Sequence, residues 1–412
     1  MGHFIGYRCS LCGSEYAPDQ VTYTCPKDGG NLNVLLDITN LRREFSVSNV
    51  TSEVEGSIWR YILLLPIPDP DGRGTPLRAV GWTPVFTPRL LADEMDLTHL
   101  WVKDESRNPS ASFKDRASAV VVARAREIKA EVIITASTGN AGAALACMAA
   151  AVEQRSVILA PRSAPPAKVA QLLVFGAKVI LVDGNYDQAF DLSIQAAREF
   201  GWYCRNTGFN PFTAEGKKTA ALEIWEQVLL ETELKKPLCV FTSVGDGNII
   251  SGLHKGFKDL VAMGWLDESP RIFGVQSEGS AAVANAFWAG TEKIQPVKAN
   301  TIADSISVDL PRDGVRAVRA ARETNGSYLI VKDEDILKAI QALGRVGIFA
   351  EPAGAAAYAG LRQAVQEGII TRDDPVLVLN TGSGLKDVRA AMQAVPEAPV
   401  IEPTLQALKQ MV

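Results

Sequence analysis

From about residue 115 the apolar positions settle into a regular alternation. "DRASAVVVARAREIK" repeats apolar residues at helical spacing, "EVIITAS" is a short β-rich run, and "NAGAALACMAAAVEQ" is an alanine-rich helical stretch. "SVILAP", "PPAKVAQLLVFGA", "KVILVDG" and "NYDQAFDLSIQAAREFG" then read as strand, helix, strand and helix. Apolar runs of strand length set between helical segments predict a parallel sheet covered on both faces, an α/β fold. A second series follows, with strands in "LCVFTSVGDG", "RIFGVQSEG" and "PVLVLNTGSGLKD" and a helix in "GLHKGFKDLVAMG". The break near 205–216 predicts two α/β lobes facing each other. Residues 1–37 read differently, as short strands and turns that carry three of the six cysteines, and 38–80 contain the loop "LPIPDPDGRGTP". The expected parts are a small segment at 1–37, a large lobe from 38–120 and 211–412, and a small lobe at 121–210.

Composition narrows the class. The chain has 412 residues, 47% hydrophobic and 22% charged, which is ordinary for a globular enzyme. A net charge of −5 gives no global basic field, so neither nucleic acid nor an anionic membrane is an expected partner. The N-terminus has no long apolar stretch of the signal-peptide kind, and "YILLLPIP" is too short to span a bilayer. Gly2 does not complete a myristoylation motif, because Gly6 stands where Ser or Thr is wanted. Six cysteines in so long a chain do not make a disulfide framework. The expected location is cytoplasmic.

Three turns of one kind suggest chemistry. "TASTGNAGA", "TSVGDGNIISG" and "NTGSGLKD" each follow a strand and are rich in small polar residues. Ligands of open parallel sheets sit beyond the carboxyl ends of the strands, where small residues let backbone amides approach an anion at a helix start. Ordinary strand–helix turns use the same residues for geometry and capping, so one turn alone decides nothing. Neither GxGxxG nor GxxxxGK[ST] occurs, so no dinucleotide site or P-loop is indicated, and a phosphate-bearing cofactor that is not a nucleotide stays open. Lys114 in "SASFKDRAS" opens a helix, where the dipole disfavours a cation. It belongs to no SxxK hydrolase motif, since Ala111 occupies the serine position.

In order along the chain stand "WTPVF", "VKDESRNPSASFKDR", "STGNAGAALA", "EGKKTAALEI", "VGDGNIISGLHKGF", "EPAGAA" and "TGSGLKD". This ordered set resembles the fold-type II pyridoxal-phosphate enzymes over nearly the whole chain, and within them the threonine synthase family. The resemblance implies two open, mostly parallel α/β lobes with the active site between them, pyridoxal 5'-phosphate as cofactor, an amino-acid substrate and a homodimer. It implies that Lys114 holds the cofactor as an imine, which needs an amine whose pKa is lowered by burial, a neighbouring cation or the helix start. Phe113 would pack beside the ring or simply fill the core. Asn140 would donate to the cofactor's phenolate oxygen, and Ser137, Thr138 and Gly139 would cradle the substrate carboxylate. Gly245, Asp246, Gly247, Asn248 and Ile249 would hold the cofactor phosphate, with the Asp246 carboxylate turned away to cap the next helix. Thr381 would face the pyridine nitrogen with a hydroxyl, making the ring a mild electron sink suited to eliminations and replacements. Glu351 in "EPAGAA" would approach the ring or serve in a helix N-cap region.

Departures from the family pattern bear on the substrate. Threonine synthases turn O-phosphohomoserine and water into threonine and phosphate, and many carry an arginine where "NPFTAEGKKT" has Thr213. Arg is the usual choice for bidentate phosphate binding, and Lys217 or Lys218 is no geometric equivalent. The glycine loop "VGDGN" is also short, which keeps a threonine or serine ammonia-lyase, or a β-replacement enzyme such as cysteate synthase, open as alternatives. A binding module that has lost catalysis is a third, which the intact Lys114 counts against.

"CSLC", twelve residues and then "CPKDGG" have zinc-ribbon spacing, with Asp28 where a fourth cysteine would stand. Cys9, Cys12, Cys25 and Asp28 therefore form a candidate structural zinc site, against a metal-free remnant held by hydrogen bonds. Cys147, Cys204 and Cys239 fall in helix or strand patterns and read as buried hydrophobes. His3, His99 and His254 have no metal-like neighbours at ligand spacing.

Overall fold

A computed structural model describes residues 3–411, so Gly2 lies outside the described residues. Phe4–Cys9 (β1), Glu15–Tyr16 (β2) and Leu32–Leu36 (β3) form a small antiparallel sheet in the order β2-β1-β3. Val85–Phe86 (β4) and Leu100–Asp104 (β5) begin a larger sheet. The chain then builds a separate sheet from Val132–Ala136 (β6), Arg155–Pro161 (β7), Lys178–Val182 (β8) and Tyr203–Cys204 (β9). It returns to the first with Cys239–Ser243 (β10), Arg271–Ser277 (β11), Ser327–Val331 (β12) and Val376–Asn380 (β13). The six-stranded sheet runs β12-β11-β10-β13-β5-β4 and is parallel except at β4. The four-stranded sheet runs β8-β7-β6-β9 and is parallel throughout.

Central strands are buried on both faces, which is why β6, β10 and β13 show apolar runs without alternation. β9 is only two residues long and β5 carries Lys103 and Asp104, so neither announces itself by pattern. The loop after β13 also differs from expectation. It does not open a long helix but passes through a short 3-10 turn at Gly384–Lys386. Its backbone folds back on the lysine segment instead, with a bridge between Ser112 and Gly382.

The helix Lys114–Glu127 is fixed by a buried charge cluster. The Arg116 guanidinium lies between Glu105 at 2.7 Å and Glu223 at 2.5 Å, and Lys103 sits 2.8 Å from Glu223, all four fully buried. Burial alone would raise the pKa of Glu223, but Arg116 and Lys103 hold it down to about 2. Glu223 rides on the helix Phe212–Ile224, which touches the Lys114 helix at backbone distance. A Cβ on Gly216 would come within 2.1 Å of the Arg116 carbonyl oxygen, so only glycine allows this approach.

The N-terminal sheet is tied to both lobes. Tyr23 stacks on Phe209 at 4.5 Å and its hydroxyl accepts from the Cys204 amide at 2.9 Å. Asn31 donates to the carbonyls of Gly208 and Arg312. No helix among the described residues is long and apolar enough to cross a membrane. All six cysteines are free, and Cys147, Cys204 and Cys239 are buried.

Candidate active site

The carboxyl ends of β6, β9 and β10 face one another across the gap between the lobes. After β6 the turn 137–139 leads into the helix Asn140–Ala150. After β10, 244–247 lead into the helix Asn248–Met263. Gly247 has φ +89°, and a Cβ there would press on Ala317 at 2.7 Å and the Asp313 carbonyl at 2.8 Å. The amides of Gly245, Asp246 and Gly247 reach no acceptor among the described residues. With the free amides of the first helical turn they form a cradle for an anion. Phe113 donates its amide to the Thr381 carbonyl at 2.9 Å, which lays Lys114 against the end of β13.

These ends enclose a cavity of about 420 Å³. Lys114, Ser137, Thr138, Gly139, Asn140, Gly245, Asp246, Gly247, Asn248 and Ile249 all line it. Two expected residues do not. Phe113 is fully buried in the main core, so its ring fills space behind the lysine rather than facing a ligand. Thr381 stands one hydroxyl back: Ser243 Oγ forms the wall, 3.4 Å from Thr381 Oγ1. Asp246 does not cap the next helix either, since Gly247 occupies that position and no side chain caps it. Its carboxylate accepts from the Arg312 amide at 3.2 Å.

The cavity brings three buried cations together, Lys114, Arg205 and Lys217. Burial lowers the pKa of Lys114, with Arg205 adding to the effect and Glu351 opposing it. Lys217 is pushed well below its ordinary value by burial and by the neighbouring Arg205 and Lys114. Arg205, also buried, comes down to about 10. None of the three has a carboxylate within ion-pair distance among the described residues. Glu351 accepts from Asn140 Nδ2 at 2.7 Å, and burial raises its pKa. A smaller cavity of about 120 Å³ continues past Asn140 and Glu351 toward Lys168 and Lys386.

Arg205, Ser243 and the strap Ser305–Val308 line the main cavity without having been singled out in the sequence. Arg205 follows the two-residue β9 inside what read as an inter-lobe break, and the strap carries no motif. The one available signal was an arginine immediately after "WYC", an apolar run too short to identify as a strand.

Pyridoxal phosphate asks for an amine, a phosphate cradle, a donor to its phenolate oxygen and a hydroxyl near the ring nitrogen. Lys114, the amides from Gly245 onward and Ser243 with Thr381 offer the amine, the cradle and the hydroxyl; Asn140 Nδ2, on the cavity wall, donates to Glu351 at 2.7 Å and Ser305 at 3.2 Å and would exchange one of these for the phenolate. The donor set fits further in that one Nη of Arg205 is buried without a partner. A Cβ on Gly139 would meet nothing within 4 Å, which leaves that face open to a ligand. Residues 77–382 match the pyridoxal-phosphate dependent enzyme family. The chain belongs to this family. It is 38% identical over 407 residues to a threonine synthase of Methanocaldococcus jannaschii, covering 98% of each chain. A threonine synthase of Methanosarcina acetivorans is 35% identical, again with 98% of each covered. Among solved structures, threonine deaminase isoform 2 from Solanum lycopersicum is similar with a TM-score of 0.66 at 21% identity, covering 82% of this chain and 88% of that one. Maize serine racemase follows at 0.62 and 23%, with 73% and 88% covered. These two likenesses concern the fold, which is that of fold-type II pyridoxal-phosphate enzymes.

At the N-terminus the ligand atoms of Cys9, Cys12, Cys25 and Asp28 all lie within 4.8 Å of one another. Cys12 Sγ and Cys25 Sγ are 3.7 Å apart, and Cys9 Sγ is 3.3 Å from Asp28 Oδ1. Two thiolates at zinc–sulfur distance stand roughly 3.8 Å apart in a tetrahedron, so the spacing suits zinc.

Burial disfavours the charged form of Lys114, so its neutral, reactive fraction at mildly alkaline pH should exceed that of a surface lysine. In cofactor-free protein, labelling by an amine-specific reagent should reach half its maximal rate at Lys114 below pH 10.5, the ordinary value for a lysine side chain. A midpoint at Lys114 at or above that ordinary value would contradict the assignment.

Proposed function

We propose that the chain is a pyridoxal-phosphate-dependent lyase of the threonine synthase type, converting O-phosphohomoserine and water to threonine and phosphate. The observation that carries this reading is similarity to threonine synthases over 98% of the chain, with Lys114, the turn after β6, Lys217 and the turn after β10 meeting at one cavity. Bound pyridoxal phosphate supplies an electron sink for the pair left when a bond at the substrate's α carbon breaks. The chain's own groups do the rest. Ser137, Thr138 and Gly139 take the substrate carboxylate at the start of the Asn140 helix, where the dipole favours an anion. The amides of 245–249 hold the cofactor phosphate. Lys114, uncharged when released, removes and returns protons along the substrate's carbon chain. Glu351 holds the Asn140 amide, and Ser243 relays the Thr381 hydroxyl toward the ring nitrogen. Cofactor-loaded protein should release threonine and phosphate in equal amounts from O-phosphohomoserine. Lys114→Ala should lower the rate roughly 10²- to 10⁴-fold. A keto acid formed from threonine, with no phosphate released from O-phosphohomoserine, would move the reading to an ammonia-lyase.

We further infer that Cys9, Cys12, Cys25 and Asp28 hold a structural zinc ion. Metal analysis of purified protein should find about one zinc per chain, and Cys12→Ser should lose it. Protein free of zinc yet equally stable would remove the inference. A homodimer is supported by the apolar side chains of Val388, Met392 and Val395, half or more exposed beside Phe349. Light scattering should give twice the 44.3 kDa chain mass, and a monomer would contradict it.

A further inference from the structure

The segment after the helix Val388–Gln393 leaves the body without bonding to it. Ala394 closes that helix, its carbonyl accepting from Gln341, and beyond Val395 the chain runs on with neither helix nor strand until Leu405. Residues 396–411 make no hydrogen bond or ion pair outside their own segment among the described residues. They carry a five-residue helix, Leu405–Lys409, whose N-terminus Thr404 caps by accepting from the Ala407 amide at 3.2 Å. So short a helix is marginal in water and needs a surface to hold it, yet none of its residues is buried. Leu405, Leu408 and Met411 recur every three residues on one broad face, about half exposed or more. This is an apolar face without a partner.

An apolar groove of about 970 Å³, more than twice the active-site cavity, lies where the segment departs. Phe349, Val388, Met392 and Val395 line it, between 43% and 71% exposed, beside buried Ile340. Of the cations along it, Lys338 is held by Asp335 at 3.0 Å and Arg345 by Glu94 at 2.8 Å. Arg362 has no carboxylate within ion-pair distance among the described residues. The segment holds the complement. Glu397 and Glu402 outnumber its single cation, Lys409, and neither has a cation within ion-pair distance among the described residues.

Prolines decide which copy's groove the helix reaches. Pro396, Pro399 and Pro403 stand among the eight residues that precede the Thr404 cap. Each fixes its own φ and holds the residue before it extended. At about 3.1 Å per residue, such a spacer carries the helix roughly 25 Å from the groove its own chain borders. A second copy related by a two-fold axis offers the same groove at a distance, and its own spacer makes the reciprocal reach. We propose that each protomer's Leu405–Lys409 helix docks in the Phe349–Met392 groove of a second copy, an exchange of arms. The apolar face covers the groove, and Arg362 there meets the arm's carboxylates. The proposal rests on the homodimer reading above and says what joins the two copies.

Full-length protein carrying both Leu408→Cys and Met392→Cys, treated with a short bismaleimide, should run on a denaturing gel at twice the 44.3 kDa chain mass. Each variant alone should stay at the single mass, which also controls for Cys12, the exposed native cysteine. A double variant at the single mass, whether uncrosslinked or bridged within one chain, would overturn the exchange. Doubling by either variant alone would overturn it too, since the linked faces would not be arm and groove. In light scattering on dilution, Leu408→Asp should raise the dimer dissociation constant about tenfold or more, because a charge replaces a buried leucine. An unchanged constant would overturn the docking face. A parent protein that scatters as a monomer loses the homodimer reading and the exchange together. A dimeric parent whose double variant stays at the single mass keeps the homodimer and loses the exchange alone.

Discussion

The position of the reactive lysine depends on Arg116. Its guanidinium bonds two carboxylates at once, Glu105 beyond β5 and Glu223 on the Phe212–Ile224 helix, with no water-exposed edge. Removing one partner of such a cluster typically costs about 3–5 kcal/mol, because the remaining charge stays buried. Lys114 precedes Arg116 by two residues and Lys217 precedes Glu223 by six. One cluster therefore fixes the helix that presents the amine and the helix that presents the second cation. The backbone approach at Gly216 closes the same joint. A helix start normally disfavours lysine, and here rigid packing and burial turn that disadvantage into a lowered pKa.

The N-terminal sheet plays a comparable part for Arg205. The residue after β9 would otherwise end a two-residue strand at the edge of the small sheet. Tyr23 and Asn31 reach from the cysteine-bearing segment to Cys204, Gly208 and Arg312 on either side of the cavity. The candidate zinc site is distant from the cofactor loops in sequence, yet its segment props the loop that bears the unpaired guanidinium. The cysteine-bearing segment and the loop bearing Arg205 are thus tied together by hydrogen bonds.

Much of this was legible in the residues. The apolar runs of β6, β7, β10, β11 and β13 are long enough to be read as buried parallel strands, and the loops after β6 and β10 were located by their small polar residues. Depth was not legible. Phe113 sits beside Lys114 in sequence yet lies behind it in the main core, and Thr381, just past β13, lies behind Ser243. The last glycine loop looked like a helix start because its composition suits either use, and tertiary pairing with Ser112 decided otherwise. Arg205 escaped because a strand of two residues has no period.

The central claim is that Lys114 is the amine that binds the cofactor, and it is open to direct chemical test. Borohydride reduction of cofactor-loaded protein, followed by digestion and peptide mass spectrometry, fixes the site of attachment. The account predicts the reduced pyridoxyl group on the peptide containing Lys114 and on no other. Attachment at Lys217, the other buried amine on the same cavity, would contradict the catalytic assignment.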